Sequence, residues 1–198
     1  MKITIAHDTI KALLLIAPKS DIRYYLNGVC VDVRNGAATL VATDGHRLLA
    51  VPVAADNVEG ASDGQYIIPR DVLDAVKPVK LARNTLPIAI EIVDTRSTIT
   101  GATTATSPTV DGRFPDWRRV TPASASNEPA QYQPEYLASF GKIGELFGGK
   151  NVKCVVHYNG TGAALVTFPC SEAVGVVMPL RVDSDKHPGL PTWARMSD

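Results

Sequence analysis

The sequence predicts an α+β fold in which helices cover one face of antiparallel sheets. Two observations carry that expectation. An order of strand, helix and three strands recurs three times along the 198 residues, at a spacing of roughly 60 residues. The strand-like runs within each repeat are joined by reversal signals such as Asn35-Gly36, Asp44-Gly45 and Asn159-Gly160, which pair neighbouring strands antiparallel.

In the first repeat, residues 2–5 alternate as a strand. A helix follows, capped by Asp8 or Thr9, with Ile10, Leu13, Leu14 and Ala17 at helical spacing and Pro18 at its end. Strands are expected at 28–34, 38–43 and 47–54, then a small-residue loop at 56–64. The second repeat opens with a strand at 65–68. Pro69 begins a helix bearing Val72, Leu73, Val76 and Val79. Strands follow at 87–93, at 97–103 and near Thr109. Residues 121–129, rich in Pro, Ala, Ser, Asn and Glu, form a linker. The third repeat has a short strand at 130–133 and a helix from Pro134 with Leu137, Phe140, Gly144 and Phe147 on one face. Gly148-Gly149 stops that helix, and strands follow at 152–158, 163–168 and 173–180.

Composition narrows the function. Twenty basic residues balance twenty acidic ones, which argues against holding nucleic acid by bulk charge, though not against a locally basic surface. Three cysteines without paired short spacing fit neither a disulfide framework nor a zinc site, and read as reduced core residues of a cytoplasmic protein. The N-terminus reads as a strand rather than a signal peptide, and no apolar run reaches membrane-helix length. His7, His46, His157 and His187 lack metal-ligand spacing, and the chain has no phosphate loop, GxSxG elbow or CxxC. No enzymatic role, cofactor or metal is expected.

The stretch 41–50, VATDGHRLLA, stands out: a strand, a break at Asp44-Gly45, and a second strand. Its tip carries Asp44, His46 and Arg47, and Leu48 points back to an apolar surface.

Four segments together, DIRYYLNG at 21–28, VATDGHRL at 41–48, VDGRFPDWRRV at 110–120 and VVMPLR at 176–181, resemble signatures of the bacterial DNA polymerase III β sliding clamp, in that family's order. The resemblance implies a DNA-clamp fold. Residues 1–120 are similar to its middle domain and 130–182 to the second half of its third domain. Counterparts of the first domain and of the first half of the third are absent from this expectation.

In that family a hydrophobic cleft between the middle and last domains takes a short peptide motif of polymerases and the clamp loader. Carried over, the cleft comprises Leu26, Thr43, Gly45, His46, Arg47, Leu48, Pro115, Arg119, Val120, Val176, Val177, Met178, Pro179, Leu180 and Arg181. The apolar members offer pockets, Met178 an adaptable surface, and Arg47, Arg119 and Arg181 rim donors. The alternative is that these residues merely pack one unit on the next. The resemblance also implies DNA contact through Arg23, Tyr24 and Tyr25, with one of the two tyrosines serving the core instead. Arg70 and Lys77 on the second helix, followed by Lys80 and Arg83, and Lys11 and Lys142 on the other two, extend a possible basic lining. Asp71, Asp74, Glu135 and Glu145 are mixed among them, so contact with double-stranded DNA is expected to be weak, non-specific and salt-dependent.

An odd number of units leaves the third without a partner, and a homo-oligomer joining two third units is the expectation. Residues 183–198 form a tail, either draped on the surface or presenting Leu190 and Trp193 to a cleft. Two functions remain open: a sliding clamp or processivity factor assembled from several chains, and a clamp-derived peptide-binding adaptor that does not encircle DNA. A third reading is a folded relic that does neither.

Overall fold

The structure is a computed structural model and describes residues 1–82, 84–181 and 193. Arg83 and the tail residues 182–192 and 194–198, including Leu190, lie outside the described residues.

The first repeat supplies β1 (Lys2–Ile5), α1 (His7–Leu14), β2 (Gly28–Arg34), β3 (Ala37–Thr43) and β4 (Arg47–Pro52). The loop after it holds a two-residue strand, β5 (Val58–Glu59), too short to leave a sequence pattern. The second repeat supplies β6 (Gly64–Pro69), α2 (Arg70–Ala75), β7 (Ile88–Val93), β8 (Arg96–Thr100) and β9 (Thr104–Pro108). The third supplies α3 (Pro134–Gly148), β10 (Val155–His157), β11 (Ala164–Phe168) and β12 (Ser171–Val177).

These strands form two sheets. One runs β5-β1-β7-β8-β9 and the other β10-β11-β12-β4-β3-β2-β6. The first strand of each of the first two repeats is exchanged: β1 pairs with β7 of the second repeat, and β6 pairs with β2 of the first. The third repeat joins through β12, whose Val176 and Val177 sit opposite Leu48 and Arg47 of β4. The larger sheet thus runs continuously from the third repeat into the first.

One core lies between the helices and the sheets, built from Ile10 and Leu13 of α1, Leu73 of α2, Phe140 and Ile143 of α3 and the facing strand residues. The larger sheet is also covered on its outer face. Val29, Val31 and Val33 of β2 face the helices, whereas Cys30 packs outward with Leu26, Val41, Leu48, Ala50, Ile67, Phe114 and Val176. Burial on both faces explains why β2 and β3 read as apolar runs rather than as alternating strands. The outer cover is the segment after β9, anchored by Phe114 at 1% exposure.

Four expectations are corrected. Residues 130–133 are not a strand; the Leu180 N–H donates to the Gln131 carbonyl at 2.7 Å, an isolated contact outside the ladder. Neither Asp8 nor Thr9 caps α1, whose N-cap is Ala6; Asp8 lies inside the first turn, where its carboxylate pairs with Lys11. Helix α2 ends at Ala75, with Val76 already extended, because Pro78 keeps its predecessor out of the helical region. Strand β12 ends at Val177 rather than 180, although the Met178 N–H still donates to the His46 carbonyl at 2.8 Å. The Asn35-Gly36 reversal has positive φ at both residues, 52° and 77°, as a two-residue hairpin of this kind requires.

Candidate peptide-binding cleft

The β3–β4 hairpin tip is fixed by its own polar groups. Gly45 adopts φ 88°, and the Asp44 carboxylate accepts the backbone N–H groups of His46 and Arg47, each at 2.9 Å. The Thr43 hydroxyl donates to the Arg47 carbonyl at 2.8 Å and accepts from Gly45 N–H at 3.1 Å. Arg47 continues outward. Its Nε donates to Asp44 at 2.9 Å, one terminal nitrogen donates to the Ser139 hydroxyl of α3 at 2.5 Å, and the guanidinium lies 4.9 Å from the Tyr136 ring centre. The His46 ring stacks on the same tyrosine at 5.9 Å.

Beside the tip lies a cleft of about 220 Å³. Its floor is Leu26, Leu48 and Val176, which the outer core holds in place. One wall is the hairpin tip, with Thr43, Gly45, His46 and Arg47; the opposite wall is Pro115, Asp116, Trp117 and Val120; Met178 closes the end contributed by the third repeat. Four distant stretches of chain, 23–26, 43–48, 115–120 and 176–178, therefore converge on one apolar hollow. Val120 and Met178 are 48% and 43% exposed, so apolar atoms of the cleft face outward.

The wall at 115–120 is pinned from below. Asp32 on β2 is 1% exposed and accepts the Trp117 indole N–H at 2.8 Å, with Arg118 as its ion-pair partner and Arg34 Nε at 3.5 Å. A buried carboxylate is tolerable only when paired in this way. The neighbouring Cys30 thiol is pushed well above its ordinary range, chiefly by burial and secondarily by the Asp32 charge.

Five of the expected cleft residues stand elsewhere. Val177 is fully buried in the helix-side core. Arg119 is exposed on the short helical turn Trp117–Val120, outside the hollow. Pro179, Leu180 and Arg181 line a second hollow of about 800 Å³ with residues 128–131 and 160–161, and Met178 belongs to both. The sequence reading missed four lining residues, Arg23, Tyr25, Asp116 and Trp117. All four fall inside segments already singled out, and for Trp117 the large apolar side chain was itself a signal.

The expected DNA-contacting residues divide. Tyr24 is 57% exposed, whereas Tyr25 packs against the outer core. Arg23 is held by Asp21 through Nε at 3.0 Å and a terminal nitrogen at 2.8 Å, and reaches the Asp44 carbonyl at 3.0 Å. Arg70 donates to the Leu14 carbonyl at 2.5 Å and to the Ala17 carbonyl, satisfying the end of α1. Lys77 is exposed beyond the end of α2. Lys11, Arg70 and Lys142 do meet between the helices, together with Asp74 and Glu145. Among the described residues no group of three His, Cys, Asp or Glu is placed to hold a metal ion, and no described helix is long and apolar enough to cross a membrane.

This architecture is that of the sliding clamps. A ligand-bound DNA polymerase sliding clamp from Pseudomonas aeruginosa superposes with a TM-score of 0.66 over 92% of this chain and 66% of that one, at 22% identity. A sliding clamp of the same organism bound to griselimycin gives 0.60 over the same share of this chain and 66% of its own, at 21% identity. Residues 3–116 match the family described as DNA polymerase III beta subunit, central domain, and the chain belongs to that family. The β sliding clamp of Pseudomonas aeruginosa is 38% identical over 105 residues, 52% of this chain and 28% of that protein. The matched region is thus little more than a quarter of that relative's length.

Proposed function

We propose that this chain is a non-enzymatic replication protein that captures a short peptide of a DNA polymerase or clamp loader in the cleft between its hairpin tip and Met178. The observation that carries this is the convergence of four chain segments on an open apolar hollow with polar groups at its edge, the anatomy of a site for apolar anchors. The griselimycin-bound relative of the same fold supports a ligand site in this architecture. In the fuller form, several copies assemble around duplex DNA as a processivity factor. Among the described residues the outer strand β10 pairs on one side only, which suits extension by another chain.

The adaptor alternative is favoured by the helix layer. Arg70 is spent on carbonyl groups of α1, and Lys11 and Lys142 share their space with Asp74 and Glu145. That surface would grip phosphates weakly. Fluorescence anisotropy with a labelled clamp-motif peptide tests the cleft; no binding at hundreds of micromolar protein removes both readings. Light scattering after size exclusion separates them. A mass of four or more chains that stays on nicked circular DNA and leaves when the circle is cut supports the clamp, whereas a peptide-binding monomer or dimer leaves the adaptor.

A further inference from the structure

The three repeats place their opening segments alike. Ile5, Ile68 and Tyr132 each stand two residues before the first helical residue, His7, Arg70 and Pro134, and all three belong to the helix-side core. Each segment is held on one flank by chain that follows the third strand of its own repeat. Ile3 lies opposite Val58; the Val110 N–H donates to the Ile67 carbonyl at 2.8 Å; the Leu180 N–H donates to the Gln131 carbonyl at 2.7 Å. The other flank differs. There β1 pairs with β7 and β6 with β2, so that each of the first two repeats lends its opening strand to the second strand of the other. Among the described residues 130–133 has no such neighbour, and β10, the second strand of its repeat, pairs with β11 alone. One repeat cannot close this exchange by itself, because its opening strand and its second strand lie in different sheets, as β1 and β2 do.

We infer that a second copy of this chain closes the exchange: residues 130–133 of each copy add, antiparallel, to the outer edge of β10 of the other. The contact is reciprocal about a two-fold axis, so it is complete at two copies and leaves neither edge open. Segment 130–133 is already patterned for it, with Ala130 and Tyr132 against the core and Gln131 and Gln133 exposed, the period of a strand that lacks its ladder. On β10, Val156 packs with the same core as Cys154 before it, while Val155 is 47% exposed. Faces match when Tyr132 stands opposite Cys154, Gln131 opposite Val155 and Ala130 opposite Val156, following Ile5 opposite Ile88 and Ile3 opposite Ile90. The Tyr132 hydroxyl is buried without a hydrogen-bond partner, which a second chain can supply. Charge agrees: in this register Glu135, exposed just past the segment, comes beside the other copy's exposed Lys150 and Lys153. The dimer then carries two clefts, one at each joint between β12 and β4, and holds a partner with two peptide motifs more tightly than a partner with one.

This pairing does not depend on what the cleft binds. Sedimentation equilibrium of the full chain between about 1 and 100 μM reads it, with two double variants at the exposed positions 131 and 155. Gln131→Lys with Val155→Lys sets like charges opposite each other at both contacts of the dimer; Gln131→Lys with Val155→Glu sets opposite charges there. The parent should reach twice the chain mass. The like-charge variant should dissociate about tenfold more readily, and the opposite-charge variant should hold at least as well as the parent. A parent that stays a monomer at 100 μM overturns the inference. So does a dimer that responds equally to both variants, since its interface then lies elsewhere. Anisotropy with a labelled clamp-motif peptide on the same samples keeps the two claims apart. A monomer that binds the peptide overturns the exchange and leaves the cleft standing, whereas a charge-sensitive dimer that binds no peptide supports the exchange and removes the proposed function.

Discussion

Arg47 and Ser139, 92 positions apart, are joined by a hydrogen bond of 2.5 Å from guanidinium to hydroxyl. It fastens the hairpin tip of the first repeat to the helix of the third, and Ser139 passes the connection on by donating to the Tyr136 carbonyl at 2.6 Å. Arg47 also lines the cleft, so this joint holds the hairpin wall in place against the third repeat.

Ser139→Ala should cost about 1.5–3 kcal/mol, as expected for a hydrogen bond to a charged group that is left partly buried without its partner. Arg47→Ala should cost at least as much and also release the Tyr136 and His46 rings. A double-mutant cycle by chemical denaturation should return a coupling energy of about 1 kcal/mol or more. Additive effects would mean that the bond is not formed in solution.

Asp32 holds the opposite wall. Removing it leaves the Trp117 indole N–H and the Arg118 charge without their acceptor. Asp32→Ala should therefore destabilise the fold by about 3–5 kcal/mol, and Asp32→Asn by less, since an amide oxygen still accepts from the indole. Both should shift the fluorescence of Trp117, read in a Trp193→Phe background. An unshifted spectrum would show the indole to be held by its apolar packing alone.

How far this site was legible in the sequence follows from how local each interaction is. The 43–47 turn could be read directly, because Asp44 bonds the backbone two and three residues ahead. The Asp32–Trp117 bond spans 85 positions, and no periodicity in β2 marks Asp32 as buried beneath the outer cover when both faces of the strand are buried. Arg70 misled for the same reason. Its spacing on α2 suggested a surface cation, while its true partners are carbonyls 53 and 56 positions earlier. The repeat order was legible, except for the third unit's opening strand, because each unit carries its own turns and a proline or glycine at a helix end; the strand exchange between the first two units was not, because pairing partners leave no local trace.

Gly45 should resist substitution. At φ 88° a β-branched residue is strained, and an added Cβ would lie 2.7 Å from an Arg23 terminal nitrogen. Gly45→Ala should cost about 1–2 kcal/mol and Gly45→Val more. An unchanged melting temperature for Gly45→Val would show that the tip relaxes into another turn.

Asp21 sets an acid limit for the Arg23 clasp. The Arg23 side chain first, and then its backbone N–H, hold the Asp21 carboxyl at about 2, against an ordinary 3.8. A folded-state value below the unfolded one stabilises the fold above the unfolded value and is lost as the pH falls through the folded one. The contribution should be complete above about pH 5 and vanish between pH 4 and 2. A carbon-detected NMR titration of Asp21 should show the low midpoint, and Asp21→Asn should flatten this part of the stability profile. A midpoint near 4 would mean that the pair is open in solution.

Met178 distinguishes a binding cleft from an ordinary packing seam, because it lines both hollows and is 43% exposed. A charge at a position this open can stay hydrated, so Met178→Asp should leave the melting temperature within a few degrees of the parent. The same carboxylate would be desolvated beneath an apolar anchor, and binding of a clamp-motif peptide should fall by a hundredfold or more, roughly 3 kcal/mol. Val177→Asp is the control: this neighbour is fully buried, and the variant should unfold. If Met178→Asp unfolds the chain as Val177→Asp does, Met178 belongs to the seam between repeats. If it folds and binds the peptide as the parent does, the peptide sits elsewhere.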